Sequence, residues 1–130
     1  MVQFTDRTKG EWVSCKIDPT LASVFLETIR HASDVYGLHE LTVTSIWRSA
    51  EEDAALEGSG VHVRWGALDL AVPGLQWDDK RFLGIATHVN MEWSYDHSRP
   101  NLVVALFKPH ASAPAPHLHL QTHQKTRRRK

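Results

Sequence analysis

One carboxylate constrains this chain more than any other residue. Asp69 interrupts Ala67-Leu68-Asp69-Leu70-Ala71-Val72, a run that otherwise reads as a buried strand stopped by Pro73-Gly74. A bare carboxylate in such a strand is strongly destabilising unless a cation or hydrogen-bond donors meet it. Candidates for that role stand at two other places. His62 precedes Asp69 by seven residues, and Gly66 lets the intervening chain turn back so that both side chains can address one point. Fifty residues after Asp69 comes His119, within Pro116-His117-Leu118-His119-Leu120-Gln121. On an extended chain His117 and His119 share one face, while Leu118 and Leu120 point to the other.

His62, Asp69 and His119 are a donor set that suits zinc, which takes four ligands in tetrahedral geometry and in catalytic sites keeps one position open. Nine histidines make a chance His-x-His plausible, so a metal-free α+β interaction domain, with Asp69 met by backbone donors, is the competing expectation.

A chain of 130 residues, 42% apolar and 23% charged, has the size and composition of one domain with one core. No run approaches the ~20 apolar residues of a membrane span, and the N-terminus lacks the pattern of a secretory signal. Cytoplasmic synthesis without a signal peptide is therefore expected. A lone Cys15 forms no internal disulfide and is expected in the core. The zero net charge hides an asymmetry: residues 125–130 carry five of the 15 basic residues, leaving the body ten against 15 acidic, a formal −5. We expect a domain over 1–124 and a solvated basic tail over 125–130, able to contact an anionic polymer or membrane surface. No basic stripe with interleaved aromatics marks a specific nucleic-acid interface.

Along the chain, Phe4 and Trp12 to Ile17 read as an edge strand or arm, ended by the turn chemistry of Asp18-Pro19. Leu21, Val24, Phe25, Ile29 and Ala32 recur at helical spacing, predicting a helix over Thr20–Tyr36 that stops at Gly37. Leu41–Trp47 alternates and is rich in β-branched residues, predicting a strand with Arg48 near its end and a loop or short helix beyond. A second helix is expected from Trp77 to about Trp93, then strands at Leu102–Phe107 and His117–Gln121. The prediction is an α+β domain with a small antiparallel sheet of about four strands against two main helices.

Val43-Thr44-Ser45-Ile46-Trp47-Arg48-Ser49, then Ser59-Gly60-Val61-His62 through Ala67-Leu68-Asp69, then His117-Leu118-His119, resemble three successive motifs of the zinc D-Ala-D-Ala carboxypeptidase and phage endolysin peptidase family. The resemblance covers roughly residues 40–121 and implies the hedgehog/DD-peptidase fold. It implies zinc bound by His62, Asp69 and His119, and an Arg, here Arg48, that contacts the substrate carboxylate or peptide. Ser45 and Ser59 match neighbouring motif positions and are candidate substrate contacts. Two positions depart from the pattern. The family usually carries Gly three residues after the first His, where this chain has Trp65 and places Gly66 next, so a differently shaped turn is expected. Many members carry an acidic base three residues before the final His, where this chain has Pro116; the resemblance then assigns proton transfer to His117.

The implied function is a zinc metallopeptidase that cleaves peptidoglycan stem-peptide bonds involving D-amino acids, as in a phage or prophage endolysin that reaches the cell wall on lysis. The alternative is a non-catalytic zinc-binding phage structural or accessory protein that kept the fold. Glu92 and Asp96 are expected to be exposed helix-end charges, His110 and His123 surface residues, His88 and His97 at most outer contacts of the site, and Trp47 and Trp65 core or rim aromatics.

Overall fold

The boundaries of the secondary structure follow from local capping chemistry. The structure, a computed structural model, describes residues 2–56, 60–72, 80–107 and 117–129. After a short strand β1 (Val2–Phe4), the Thr5 side chain accepts from the Thr8 amide and starts helix α1 (Asp6–Val13). Of the stretch expected as an edge strand or arm, Phe4 ends β1 at the edge of the sheet, while Trp12 and Val13 close α1, where a capping hydroxyl decides what apolar spacing does not, and residues 14–17 follow outside any helix or strand. Asp18 caps α2 (Pro19–Tyr36), Pro19 sits in its first turn, and Gly37 ends it at φ +67°, the left-handed conformation that glycine adopts without strain. Strand β2 (Leu41–Ser45) leads to α3 (Ala50–Ala55), which opens on a full capping box between Ser49 and Glu52. Then come β3 (Ala67–Ala71), α4 (Lys80–Glu92), β4 (Trp93–Ser94), β5 (Ala105–Phe107), β6 (Leu118–Gln121) and β7 (Arg127–Arg128).

The α+β class is as expected, but the sheet is not the antiparallel four-stranded one. Five strands in the order β1-β2-β3-β6-β5 form a mixed sheet, because β1 runs parallel to β2 while every other pairing is antiparallel. Among the described residues four helices accompany it, with α2 and α4 the two long ones. Their apolar faces, Leu21, Val24, Phe25 and Ala32 from α2 and Phe82, Ile85, Ala86 and Val89 from α4, join Val43, Leu68, Leu70, Leu118 and Leu120 of the sheet in one core. The pleat sends Leu68, Leu70, Leu118 and Leu120 into that core and turns Asp69, His119 and Gln121 to the opposite side.

The basic C-terminus is not a free tail. Arg127 and Arg128 pair with Ser94 and Trp93, and Arg128 makes a bidentate pair with Glu27 at 2.9 and 2.8 Å while lying 4.4 Å from the Trp93 ring centroid. Cys15, expected in the core, is exposed at φ +60° just after α1. No described helix is long and apolar enough to cross a membrane.

Candidate metal centre

Asp69 and His119 are cross-strand partners on β3 and β6, so the sheet register alone brings them face to face. His62 arrives from a turn over residues 61–65, closed by the Gly66 amide donating to the Val61 carbonyl at 2.9 Å. Trp65 takes the left-handed conformation in this turn, at φ +62°, at the position where the resemblance led us to expect glycine. Gly66 is needed for a different reason. The Thr122 amide donates to its carbonyl at 2.8 Å, and a Cβ on Gly66 would stand 3.0 Å from the Thr122 carbonyl oxygen and 3.4 Å from that of Val61. The turn that carries His62 is thus laid directly on the end of β6.

The result is a compact donor set. One ligand atom from each of His62, Asp69 and His119 lies within 4.8 Å of the others, and all three residues are buried, at 2%, 5% and 3% exposure. The His62 Nδ1 donates to the Ile46 carbonyl at 2.7 Å, which leaves Nε2 as the bare nitrogen. That Nε2 is buried, has no hydrogen-bond partner, and lies 3.5 Å from Asp69 Oδ2, outside hydrogen-bonding geometry. An unsatisfied buried nitrogen costs about 1–3 kcal/mol, and a cation beside Asp69 is the group that would satisfy it. His119 Nδ1 is 2.9 Å from Asp69 Oδ1, and its Nε2 is 3.0 Å from Gln121 Oε1. Burial alone would push the Asp69 carboxyl up. The hydrogen bond with His119 and the nearness of His62 outweigh it and hold the group well below the usual carboxylate range, so it is anionic. This donor set fits a divalent cation; the residues themselves do not say which one.

Arg48 sits against the centre rather than apart from it. Its Nη2 donates to Asp69 Oδ2 at 3.2 Å and its Nη1 to Asp53 Oδ1 at 3.4 Å, with 18% of the side chain exposed. Asp53 is itself buried and accepts from the Gly60 amide at 2.9 Å, so a continuous chain of contacts runs from the segment before His62 through Asp53 and Arg48 to Asp69.

The other expected residues are more scattered. Ser45 ends β2 in register with Asp69, across an irregularity in the pairing, and is half-buried. His117 is half-buried just before β6. Ser59, Pro116 and His110 lie outside the described residues. His88 is on α4, stacked on His31 with ring centroids 3.7 Å apart, and is occupied there rather than at the centre. His97 and Glu92 are exposed, and His123 is half-buried with its ring 5.9 Å from that of Tyr95. Asp96, expected at the surface, is buried, where Ser98 and Arg99 donate to it. Trp47 and Trp65 stack on each other at 5.8 Å, and Lys16 lies over the Trp65 ring.

Three participants escaped the sequence reading. Gln121 had a legible signal, since it is two residues after His119 and shares its face. Asp53 and the Ile46 carbonyl had none, because each depends on where a turn or a main-chain oxygen ends up in three dimensions. Comparison with protein-family models, with curated proteins and with solved structures found no match.

Proposed function

We propose that this chain is a zinc-dependent hydrolase whose metal is held by His62, Asp69 and His119. One observation carries the reading: three donor atoms from two strands and a turn converge within 4.8 Å, and one of them, His62 Nε2, is buried with no partner among the described residues. Zinc in such a site supplies Lewis acidity, polarising a carbonyl and lowering the pKa of water toward ~7. The chain's own residues divide the remaining work. Arg48 orients Asp69 through its second oxygen, and its partly exposed guanidinium is the candidate anchor for a substrate carboxylate. His117 is the candidate for proton transfer. The substrate class, peptidoglycan stem peptides cut at bonds involving D-amino acids as by a phage endolysin, rests on the sequence motifs alone. Contact with anionic envelope polymers would fall to the exposed Lys125 and Arg127 rather than to Arg128, which Glu27 already holds.

The test is metal content of the purified protein and of His62→Ala, followed by peptidoglycan digestion. The expected result is about one zinc per chain, lost in the variant, with turnover that His117→Ala abolishes while zinc is retained. Protein that takes up no metal when zinc is supplied overturns the proposal. A second reading, a non-catalytic zinc-binding protein, is favoured by the 2–5% exposure of the three ligands and by the hold of Arg48 on the second oxygen of Asp69. Stoichiometric zinc with no turnover in wild type would select it.

A further inference from the structure

We propose that Gln121 is a positioning residue that decides which nitrogen His119 offers to the metal, an inference that rests on the metal reading of the site. A neutral imidazole has one N–H and one lone pair, and the partner of the N–H decides which nitrogen is left to bind a cation. For His62 the partner is the Ile46 carbonyl, a pure acceptor, so the proton sits on Nδ1 and Nε2 faces Asp69. For His119 the partner is a side-chain amide, which can present either oxygen or nitrogen.

The far end of that amide settles the choice. Gln121 Nε2 lies 2.8 Å from the Val103 carbonyl oxygen, which can only accept, so the amide nitrogen must be on that side and Oε1 must face His119. His119 therefore donates from Nε2 at 3.0 Å, and with a cation bound the lone pair of its neutral ring would fall on Nδ1, the nitrogen that lies 2.9 Å from Asp69 Oδ1. In the ion-bound site both rings would then offer bare nitrogens beside the same carboxylate from tilted planes, 63° apart with centroids separated by 5.3 Å. The lock is well held. Gln121 is buried at 9% exposure, its own amide donates to the Val104 carbonyl at 2.8 Å, and the pleat keeps it on the face of His119. Water competes poorly for bonds in such a position.

Two substitutions separate this role from simple packing. Gln121→Leu fills similar space and removes the acceptor, so zinc affinity measured by competition with a chromophoric chelator should fall about 10–100-fold, the usual effect of losing an outer partner of a ligating histidine. Gln121→Glu keeps an oxygen before His119 Nε2 while removing the donor to Val103, so its affinity should stay near wild type even if its thermal stability drops. Long-range proton–nitrogen correlation spectra of the zinc-loaded wild type should show the His119 proton on Nε2. A proton on Nδ1, a Leu variant that binds zinc as tightly as wild type, or a Glu variant as weak as the Leu variant each overturns the proposal while leaving the metal site standing. Should the Leu variant fail to fold, the wild-type spectrum and the Glu variant decide. A wild type that takes no zinc overturns both proposals together.

Discussion

Replacing Asp69 with Ala removes the one anion on which His119, His62 and Arg48 converge, and the cost can be worked from those contacts. Removing one partner of a buried ion pair costs about 3–5 kcal/mol, because the group left behind stays buried and uncompensated. Arg48 is 18% exposed and retains Asp53 at 3.4 Å, which places the metal-free loss at the lower end, about 3 kcal/mol. An unfolding entropy of roughly 2.1 cal/mol/K per residue gives a 130-residue domain about 0.27 kcal/mol/K, so the Tm in chelator should fall about 11 °C. Zinc at a hundred times its Kd adds about 2.7 kcal/mol to wild type, or about 10 °C, and adds nothing to the variant. Melting both proteins by circular dichroism, with chelator and with zinc, should therefore show a gap that widens from about 11 to about 21 °C. A variant as stable as wild type in chelator would refute the idea that Asp69 organises the cluster. A gap that zinc leaves unchanged would refute the idea that the cluster holds the ion.

Two further expectations follow from the turn and from the helix pair. Gly66→Ala forces a Cβ to 3.0 Å from the Thr122 carbonyl oxygen, a main-chain atom that cannot swing aside, and should cost about 1–3 kcal/mol by urea denaturation; unchanged stability would mean the turn and β6 are not rigidly joined. Burial, then the charge of His88, lowers the His31 pKa from its ordinary 6.5, so the folded protein disfavours the proton that the unfolded chain accepts. The His31 contribution is complete above pH 6.5 and is lost as pH falls through that value toward the lower folded pKa, so His31→Gln should flatten the stability profile in that window. A profile with the same slope in the variant would assign the acid sensitivity elsewhere.

The sequence revealed the parts of this molecule that depend on local pattern. Five apolar positions at helical spacing and Gly37 announce α2, and a carboxylate inside an apolar run announces a buried strand with a special partner. The two-residue period of a strand was enough to put His119 opposite the core, and applied one step further it would have included Gln121. Two of the misreadings have a common cause in long-range contacts. β1 is three residues long and exists because β2, nearly forty positions later, accepts it in parallel register. Arg127 and Arg128 look like a solvated run until Glu27, 101 residues away from Arg128, and the short β4 are set beside them. Asp96 is a local case instead: it reads as surface until the turn that follows folds Ser98 and Arg99, two and three residues on, back onto it.

The order of strands also sets when the centre can exist. β6 is nearly the last strand in sequence but lies between β3 and β5, and it brings the third donor with it. On a ribosome, the first hundred residues can make α2 and the β1–β2–β3 pairings, yet the edge of β3 stays unpaired and the donor set incomplete until β6 has emerged. On the metal reading, capture of an ion would wait for β6: a product cut short before it would carry His62 and Asp69 and lack the third donor.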